Sequence, residues 1–158
     1  MILIDNSKFM NKLYQRTYKE VGILFHEEFD VASNIVRDMS KYLSFGEKLS
    51  YLLGKDVLNL SNHAVSQLCS IDSHTIKRYK ENKSTPDEKN LMRICCGLQL
   101  NPIISKYLFI YARKNLFFVL ENPYSFYCFI LEYFYFLDIK DINKLISLVY
   151  PNKGEYLL

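Results

Sequence analysis

Hydrophobic residues recur along most of this chain at intervals of three and four positions, the spacing that places them on one face of an α-helix. No run of alternating apolar and polar residues is long enough to predict a strand with one buried face. Glycine, which weakens helices, accounts for only five residues. The pattern therefore predicts an all-α fold.

The first 44 residues contain two amphipathic patterns, which we interpret as an N-terminal helical extension over residues 1–44. The first predicts a helix through Phe9, Leu13, Val21, Leu24 and Phe25. The second predicts a helix through Ile35, Val36, Met39, Tyr42 and Leu43. Asp30 or Ser33 is expected to begin this second helix, because both residue types cap free backbone N–H groups.

Two short helices with a tight connection are predicted in the middle of the chain. Ser61 precedes one pattern over residues 62–68 and Asp72 precedes another over residues 73–79, so each is an expected N-cap. Only residues 69–71 separate the two patterns. Two short helices joined so tightly are what a helix-turn-helix requires.

More start signals follow this pair. Thr85 is the expected N-cap of the next helix, with Pro86 at its first position and Glu88 three residues after the cap. That helix carries an apolar stripe at Leu91, Ile94, Cys95 and Leu98. Asn101 and Pro102 begin another helix, which continues through Ile103, Ile104, Tyr107, Leu108 and Tyr111.

Residues 109–158 form a C-terminal extension that contains a helix without a polar face. Its pattern runs from Tyr124 to Leu137, and Asp138 is the expected cap of a last helix that continues to Tyr150. A helix that is apolar on all sides must be covered on all sides. Two interpretations stay open: a homodimer surface that leaves Tyr127 and Tyr135 partly exposed, or the inner helix of a single core.

The composition fits a protein with one core or two small ones, since the 158 residues are 49% hydrophobic and 23% charged. The four cysteines form no CxxC pair and lie within helical patterns, so we expect reduced core residues in a cytoplasmic protein. They are Cys69, Cys95, Cys96 and Cys128.

We expect neither a signal peptide nor a membrane segment. Residues 1–4 are apolar, but no basic region precedes them and Asp5 follows at once. The longest apolar stretch is 14 residues and contains Glu132, whereas a helix needs roughly 20 apolar residues to span a bilayer.

The net charge of +3 is unevenly distributed. Residues 45–115 carry 11 basic and 6 acidic side chains, whereas residues 1–44 carry 6 of each and residues 116–158 carry 3 basic and 5 acidic. The basic excess therefore lies in the segment that contains the two tightly joined helices. A polyanion is expected to dock there.

From Asn59 to Pro86 the spacing resembles the helix-turn-helix of the Cro and phage-repressor family of prokaryotic DNA-binding domains. The resemblance implies a repressor-like five-helix domain over residues 45–108, with helices flanking it on both sides. Matching positions are Phe45-Gly46-Glu47-Lys48-Leu49, Leu60-Ser61, Ile71, Ile76, Pro86 and Leu98. Where the family has glycine, this chain has Ser70 in the turn and Asn82 after the third helix; asparagine is the next-best residue for a left-handed cap.

Residues 91–150 also resemble a less characterised group of helix-turn-helix proteins from Firmicutes, in which the domain continues into a few more helices. The segment from Met92 to Pro102 carries this likeness. It implies a regulator-like protein.

The helix after the turn is expected to present a mixed polar and basic face. If Ile71, Ile76 and Tyr79 point into the core, the residues left facing outward are Ser73, His74, Lys77, Arg78 and Glu81. The resemblance implies that Ser73, His74 and Lys77 read base edges in the major groove of double-stranded DNA. It implies that Arg78, Lys83 and Asn62 bind phosphates, whereas Asp72 acts as an N-cap.

The sequence offers no support for an enzyme, a metal site or a cofactor. His26-Glu27-Glu28 lacks the second histidine of a zinc-hydrolase motif. His63, Cys69 and His74 are close in sequence, but Cys69 is expected to face inward and His74 outward. No glycine-rich phosphate loop is present, and no nucleophile and base are suitably spaced.

Two functions follow from these predictions. The first is a sequence-specific DNA-binding transcriptional regulator. The alternative is a protein-interaction module of a defence, mobile-element or toxin–antitoxin system, whose helix-turn-helix is structural. A continuous positive patch across Asn62, Lys77, Arg78 and Lys83 would favour the first function, and a neutral or apolar surface would favour the second.

Overall fold

The computed structural model of the chain describes residues 23–114 and 124–158. Within these ranges it contains eight α-helices, a final 3₁₀ turn and no β-strand, which confirms the all-α prediction. The helices are α1 (Ile23–Met39), α2 (Phe45–Leu53), α3 (Asn62–Cys69), α4 (Ser73–Lys80), α5 (Glu88–Gly97), α6 (Pro102–Tyr111), α7 (Tyr124–Tyr133) and α8 (Ile139–Val149). The 3₁₀ turn is Gly154–Tyr156. No helix in these ranges is both long and apolar enough to cross a membrane.

The helix α5 organises the fold, because it packs against α3, α6, α7 and α8. Three residues of its predicted stripe are buried and the fourth, Leu98, packs partly buried against the core. The helix α1 packs on α2 and α6. Buried side chains from all eight helices form one hydrophobic cluster. Segments that the sequence assigned to the N-terminal, middle and C-terminal parts thus share this core.

Four predicted helix starts are confirmed, because the side-chain oxygen of each N-cap accepts a hydrogen bond from the first turn. The caps are Ser61 in α3, Asp72 in α4, Asn101 in α6 and Asp138 in α8, with donor–acceptor distances from 2.9 to 3.1 Å. The helix α2 begins with a reciprocal capping box that the sequence analysis did not assign. Ser44 Oγ accepts from Glu47 N at 3.2 Å, and Ser44 N donates to Glu47 Oε2 at 2.9 Å.

The predicted cap at Thr85 is wrong by two residues. Asp87 caps α5, and its Oδ1 accepts a hydrogen bond from Asn90 N at 2.7 Å. Pro86 precedes this cap and is buried. Because Asp87 has an extended backbone (φ −72°, ψ 175°) and carries a carboxylate acceptor, the helix begins after it.

The predicted start of a helix at Asp30 or Ser33 is also wrong, because both residues lie inside α1. Helical spacing of buried residues continues from Ala32 to Met39 without an interruption. Asp30 is exposed, and a capping residue is tolerated within a helix when its side chain points to solvent. Of the first predicted helix, Phe9, Leu13 and Val21 lie outside the described residues, whereas Leu24 and Phe25 belong to α1, the same helix as Ile35 and Val36.

The helix α7 ends at Tyr133, four residues before its predicted end at Leu137. The chain then turns: Leu137 N donates to Phe134 O at 3.0 Å, and Gln99 Nε2 donates to Phe136 O. The N-cap Asp138 has an extended backbone, with φ −76° and ψ 170°. The chain must therefore leave the helical conformation before Asp138 for α8 to begin there.

The expectation of a partly exposed Tyr127 is wrong. Its ring is only 2% exposed, and its hydroxyl donates to Tyr156 O at 2.6 Å. Tyr135 is half-buried, as expected. The exposed rings of α7 are instead those of Phe129 and Tyr133. Tyr127 is covered because the chain after α8 returns to pack over it.

Lys48 of α2 is buried, although lysine is normally exposed. Its ammonium group donates to Met39 O at 3.1 Å and to Tyr42 O, and lies 4.3 Å from the centre of the Tyr111 ring. The last carbonyl groups of a helix lack partners within that helix and carry partial negative charge. Lys48 therefore satisfies the C-terminal end of α1 while contacting α6 through a cation–π interaction.

Candidate nucleic-acid interface

The helices α3 and α4 are joined by residues 70–72, one position later than the predicted turn, because α3 includes Cys69. Ser70 has a left-handed backbone, with φ 54° and ψ 39°. Ile71 is buried at 5% exposure, and Asp72 caps α4 through His74 N and Thr75 N. The left-handed residue therefore lies at the turn position where the resembled family has glycine.

The helix α3 is held close to α5 at Gly97. A Cβ atom at Gly97 would lie 2.5 Å from Leu68 O and 2.7 Å from Cys69 Cα. Any side chain at this position would collide with the α3 backbone, which cannot yield as a flexible side chain can. Gly97 therefore allows the two helices to touch immediately before the turn that leads into α4.

The inner face of α4 is fixed by apolar packing and by a short chain of hydrogen bonds. Ile76 and Tyr79 are buried, as predicted. Asn90 Nδ2 donates to the Tyr79 hydroxyl oxygen at 2.9 Å, and Arg93 Nη1 donates to Asn90 Oδ1 at 3.0 Å. Burial raises the pKa of Tyr79, so its hydroxyl stays protonated. These contacts set the rotation of α4 about its axis.

The C-terminal end of α4 docks against the first turn of α2. Asn82 follows α4 with a left-handed backbone, φ 55°. Its Oδ1 accepts from Gly46 N at 2.8 Å and its Nδ2 donates to Ser44 Oγ at 3.0 Å. A Cβ atom at Gly46 would lie 2.4 Å from Lys80 O, so the close approach of the two helices requires glycine.

With its inner face fixed, α4 turns a polar face to solvent. His74, Lys77, Arg78 and Glu81 are exposed, and Ser73 is half-buried. The sequence predicted this division from the inward positions of Ile71, Ile76 and Tyr79, and the observed burial confirms it. The candidate interface is therefore a helix face with basic, acidic and neutral polar groups.

Glu81 divides the positive charge on this face. Its carboxylate lies 2.6 Å from Lys83 Nζ and 3.8 Å from Lys77 Nζ. The hydrogen bond from Lys83 is the main cause of a lowered pKa for Glu81, and the positive charges of Lys83 and Lys77 lower it further. Arg78 makes no ion pair or side-chain hydrogen bond within the described ranges. It is thus the basic side chain of this face that is available to a partner without breaking an existing contact.

Asn62, at the first position of α3, is linked to α4 through a residue that the sequence did not assign to the site. Lys80 Nζ donates to Asn62 Oδ1 at 3.1 Å. This contact orients the Asn62 amide and places a positive charge beside the N-terminus of α3. The spacing of Lys80 on α4 gave no sign of the contact, because it joins residues 18 positions apart.

The histidines and cysteines that we considered as metal ligands do not converge. Cys69 is buried, whereas His63 and His74 are exposed. Among the described residues, no group of three or more His, Cys, Asp or Glu side chains is placed to hold a metal ion. Burial raises the pKa of Cys69 and of Cys95 to about 12, so both thiols stay protonated. The side chains of His26, Glu27 and Glu28 lie outside the described residues.

Comparison of the chain with protein-family models, with curated proteins and with solved structures gives no match. The function must therefore be inferred from the chain's own residues and their geometry.

Proposed function

We propose that this chain binds double-stranded DNA by inserting α4 into the major groove, and that it acts as a sequence-specific transcriptional regulator. The observation that carries the proposal is the division of α4 into two faces. Its inner face is fixed by Ile76 and Tyr79, while His74, Lys77 and Arg78 are exposed on the outer face. A short helix held rigidly on a scaffold, with polar and basic groups facing outward, is what major-groove recognition requires.

The polar residues divide by their position along α4. Ser73 and His74 lie in its first turn and Lys77 follows Ser73 by four residues, and the N-terminal part of such a helix reaches base edges in the major groove. Arg78 and Lys83 are closer to its C-terminal end, where contacts to phosphates are expected. Asn62 and the N–H groups at the start of α3 provide a further phosphate site, and Lys80 adds positive charge beside it.

The arrangement of the helices is in keeping with a repressor-like domain. Five helices, α2 to α6, lie between Phe45 and Tyr111. We assign residues 45–108 to this domain, residues 1–44 to an N-terminal extension and residues 109–158 to a C-terminal extension. The proposal includes a cytoplasmic protein without enzymatic activity, which binds DNA as a homodimer.

A second candidate function is supported by the position of Glu81. Because its carboxylate pairs with both Lys77 and Lys83, the positive field across α4 is interrupted. Leu68, on α3, is 47% exposed and adds an apolar group. A surface of this kind also suits a protein partner, which would make the chain an interaction module of a defence, mobile-element or toxin–antitoxin system.

Selection of bound duplexes from random DNA, followed by binding at several salt concentrations, separates the two functions. We expect enrichment of a defined sequence and a logarithmic salt slope that falls by about one for each phosphate contact removed. Arg78→Ala should weaken binding to all sequences, whereas His74→Ala should relax the sequence preference. Lys140→Ala, an exposed substitution on α8, is the matched control for Arg78→Ala.

The absence of duplex binding at low salt would contradict the regulator, because electrostatic attraction is strongest under that condition. It would leave the interaction module as the remaining candidate. Binding that is equally tight to all sequences would support contact with DNA but contradict the base-reading roles of Ser73, His74 and Lys77.

A further inference from the structure

A row of aromatic rings runs from α8 across α7. The ring centres of Tyr150 and Phe126 are 5.8 Å apart, those of Phe126 and Phe129 are 6.2 Å apart, and those of Phe129 and Tyr133 are 4.9 Å apart. Tyr133 is 59% exposed and Phe129 is 45% exposed. The described residues therefore leave one end of this row open to solvent. Exposed apolar side chains that form a contiguous patch are characteristic of interaction sites.

The helix α6 extends the exposed surface. Lys106 Nζ lies 2.9 Å from Glu132 Oε1, which joins α6 to α7. Ile110, one helical turn after Lys106, is 61% exposed. Phe129 precedes Glu132 by three residues, so the two side chains are neighbours on α7, and the Tyr133 ring contacts that of Phe129. We refer to Lys106, Ile110, Phe129, Glu132 and Tyr133 as the α6–α7 patch.

We infer that the α6–α7 patch is the surface through which two copies of this chain associate around a two-fold axis. In a two-fold interface the same patch faces itself, so each copy must offer groups that are complementary to its own. The patch carries one positive and one negative side chain, and both are partly exposed. Each copy thus brings both members of an ion pair, and the lysine of one copy can lie opposite the glutamate of the other.

Other classes of partner fit the patch less well. Nucleic acid requires an excess of positive charge, whereas Lys106 and Glu132 cancel. Helices that lie on membrane surfaces have polar faces rich in Lys and Arg, which the patch lacks. Exposed aromatic rings next to an aliphatic side chain are instead typical of the centre of a protein interface.

This surface is separate from the proposed DNA-binding face, since α7 packs mainly on α5 and α6 and α4 packs mainly on α2 and α3. The inference deepens the proposed homodimer, because a two-fold pair would present two copies of α4 to two half-sites. The dimer surface and the DNA-binding function can be contradicted independently of each other. A monomer that binds DNA would contradict the homodimer and its surface but not the contact of α4 with DNA, and a dimer that does not bind DNA would contradict only the DNA-binding function.

Sedimentation equilibrium of the full chain over about 1 to 100 µM tests the inference. We expect a monomer–dimer equilibrium for the unmodified chain. Tyr133→Glu should raise the dissociation constant about thirtyfold, which is the effect of losing one central aromatic residue from an interface. Val31→Glu on α1 is the matched control, since Val31 is also 59% exposed, and it should leave the equilibrium unchanged.

Reversing the charge of Lys106 or of Glu132 tests whether the α6–α7 patch of one copy contacts the same patch of the other copy. Lys106→Glu gives each patch two acidic groups, and Glu132→Lys gives each patch two basic groups. We expect each variant alone to be monomeric, because like charges would meet across the two-fold axis. An equimolar mixture of the two variants should regain the mass of a dimer. An ion pair that acts only within one chain would not produce this recovery.

Thermal unfolding of each variant shows whether it is folded, and the charge-exchange pair decides the question if Tyr133→Glu does not fold. Three results would overturn the inference. The unmodified chain could remain monomeric at every concentration, which would mean that other residues or another protein cover the patch. Tyr133→Glu could fold and dimerise as tightly as the unmodified chain, or the mixed charge variants could remain monomeric.

Discussion

The side-chain oxygen of Asn82 accepts a hydrogen bond from the amide of Gly46 at 2.8 Å, and this contact joins the end of α4 to the beginning of α2. It satisfies one of the backbone N–H groups that the first turn of a helix leaves without a partner. Asn82 also has a left-handed backbone, which asparagine tolerates better than other residues with a side chain. A single residue thereby stops α4 and positions it against its neighbour.

We expect Asn82→Ala to lower the free energy of unfolding by about 2 kcal/mol, since it removes the hydrogen bonds to Gly46 and Ser44 and because alanine tolerates a left-handed backbone less well than asparagine. Asn82→Gly should lower it by about 1 kcal/mol, because glycine adopts that conformation without strain and only the side-chain hydrogen bonds are lost. Urea denaturation measures both values. Equal losses for the two variants would show that the backbone conformation contributes nothing.

Gly97→Ala should destabilise the protein by at least about 2 kcal/mol, because the added methyl group would collide with the backbone of α3. The direction of the stability change is informative, because replacing a glycine by alanine within a solvent-exposed helix normally stabilises the helix by about 1 kcal/mol. Gly154→Ala is the control, because a Cβ atom there meets nothing within 4 Å. Chemical denaturation that ranks Gly97→Ala as more stable than the unmodified chain would contradict the close packing of α3 and α5.

The capping box of α2 should make the free energy of unfolding depend on pH in the acidic range. Hydrogen bonds from the Ser44 backbone and hydroxyl hold the pKa of Glu47 below its ordinary value of 4.5. A carboxyl group whose pKa is lower in the folded state stabilises the fold above its unfolded pKa, and that contribution is lost as the pH falls through the folded pKa. Glu47→Ala should therefore be less stable than the unmodified chain at pH 7.

The difference between Glu47→Ala and the unmodified chain should narrow as the pH falls below 4.5. Unfolding free energies of both proteins across this range provide the measurement. A difference that is constant down to about pH 3 would mean that the Glu47 charge has no part in the cap.

Glu81→Gln should strengthen DNA binding. The substitution removes a negative charge that pairs with Lys83 at 2.6 Å and Lys77 at 3.8 Å. Both lysines could then contact phosphates, and the logarithmic salt slope should steepen by about one to two. Fluorescence anisotropy with a labelled duplex at several salt concentrations measures the change.

Glu155→Gln is the control for Glu81→Gln, since Glu155 on the C-terminal 3₁₀ turn also lies 3.8 Å from a lysine, Lys153. We expect it to leave DNA binding unchanged. If Glu81→Gln leaves the affinity unchanged as well, Lys77 and Lys83 do not face DNA, and the interaction module becomes the better interpretation.

Local sequence patterns predict the class of fold and most of the helix starts. Ser61, Asp72, Asn101 and Asp138 cap helices where their positions predicted, because a cap acts on N–H groups within three residues of it. The inward positions on α4 also followed from helical periodicity, and with them its exposed polar face. Such features depend on interactions between residues close together in the chain, so the sequence alone is enough to predict them.

Contacts between distant segments of the chain set which apolar and polar side chains are buried and which residues bury them. Tyr127 and Tyr133 lie in the same largely apolar helix, yet the first is 2% exposed and the second is 59% exposed, because only Tyr127 lies beneath the returning C-terminal chain. Lys48 is buried because the carbonyl group of Met39, at the end of α1, accepts a hydrogen bond from its ammonium group. Lys80 reaches Asn62 because the turn brings α3 and α4 together. Each contact joins residues at least nine positions apart, so the helical period carries no information about it.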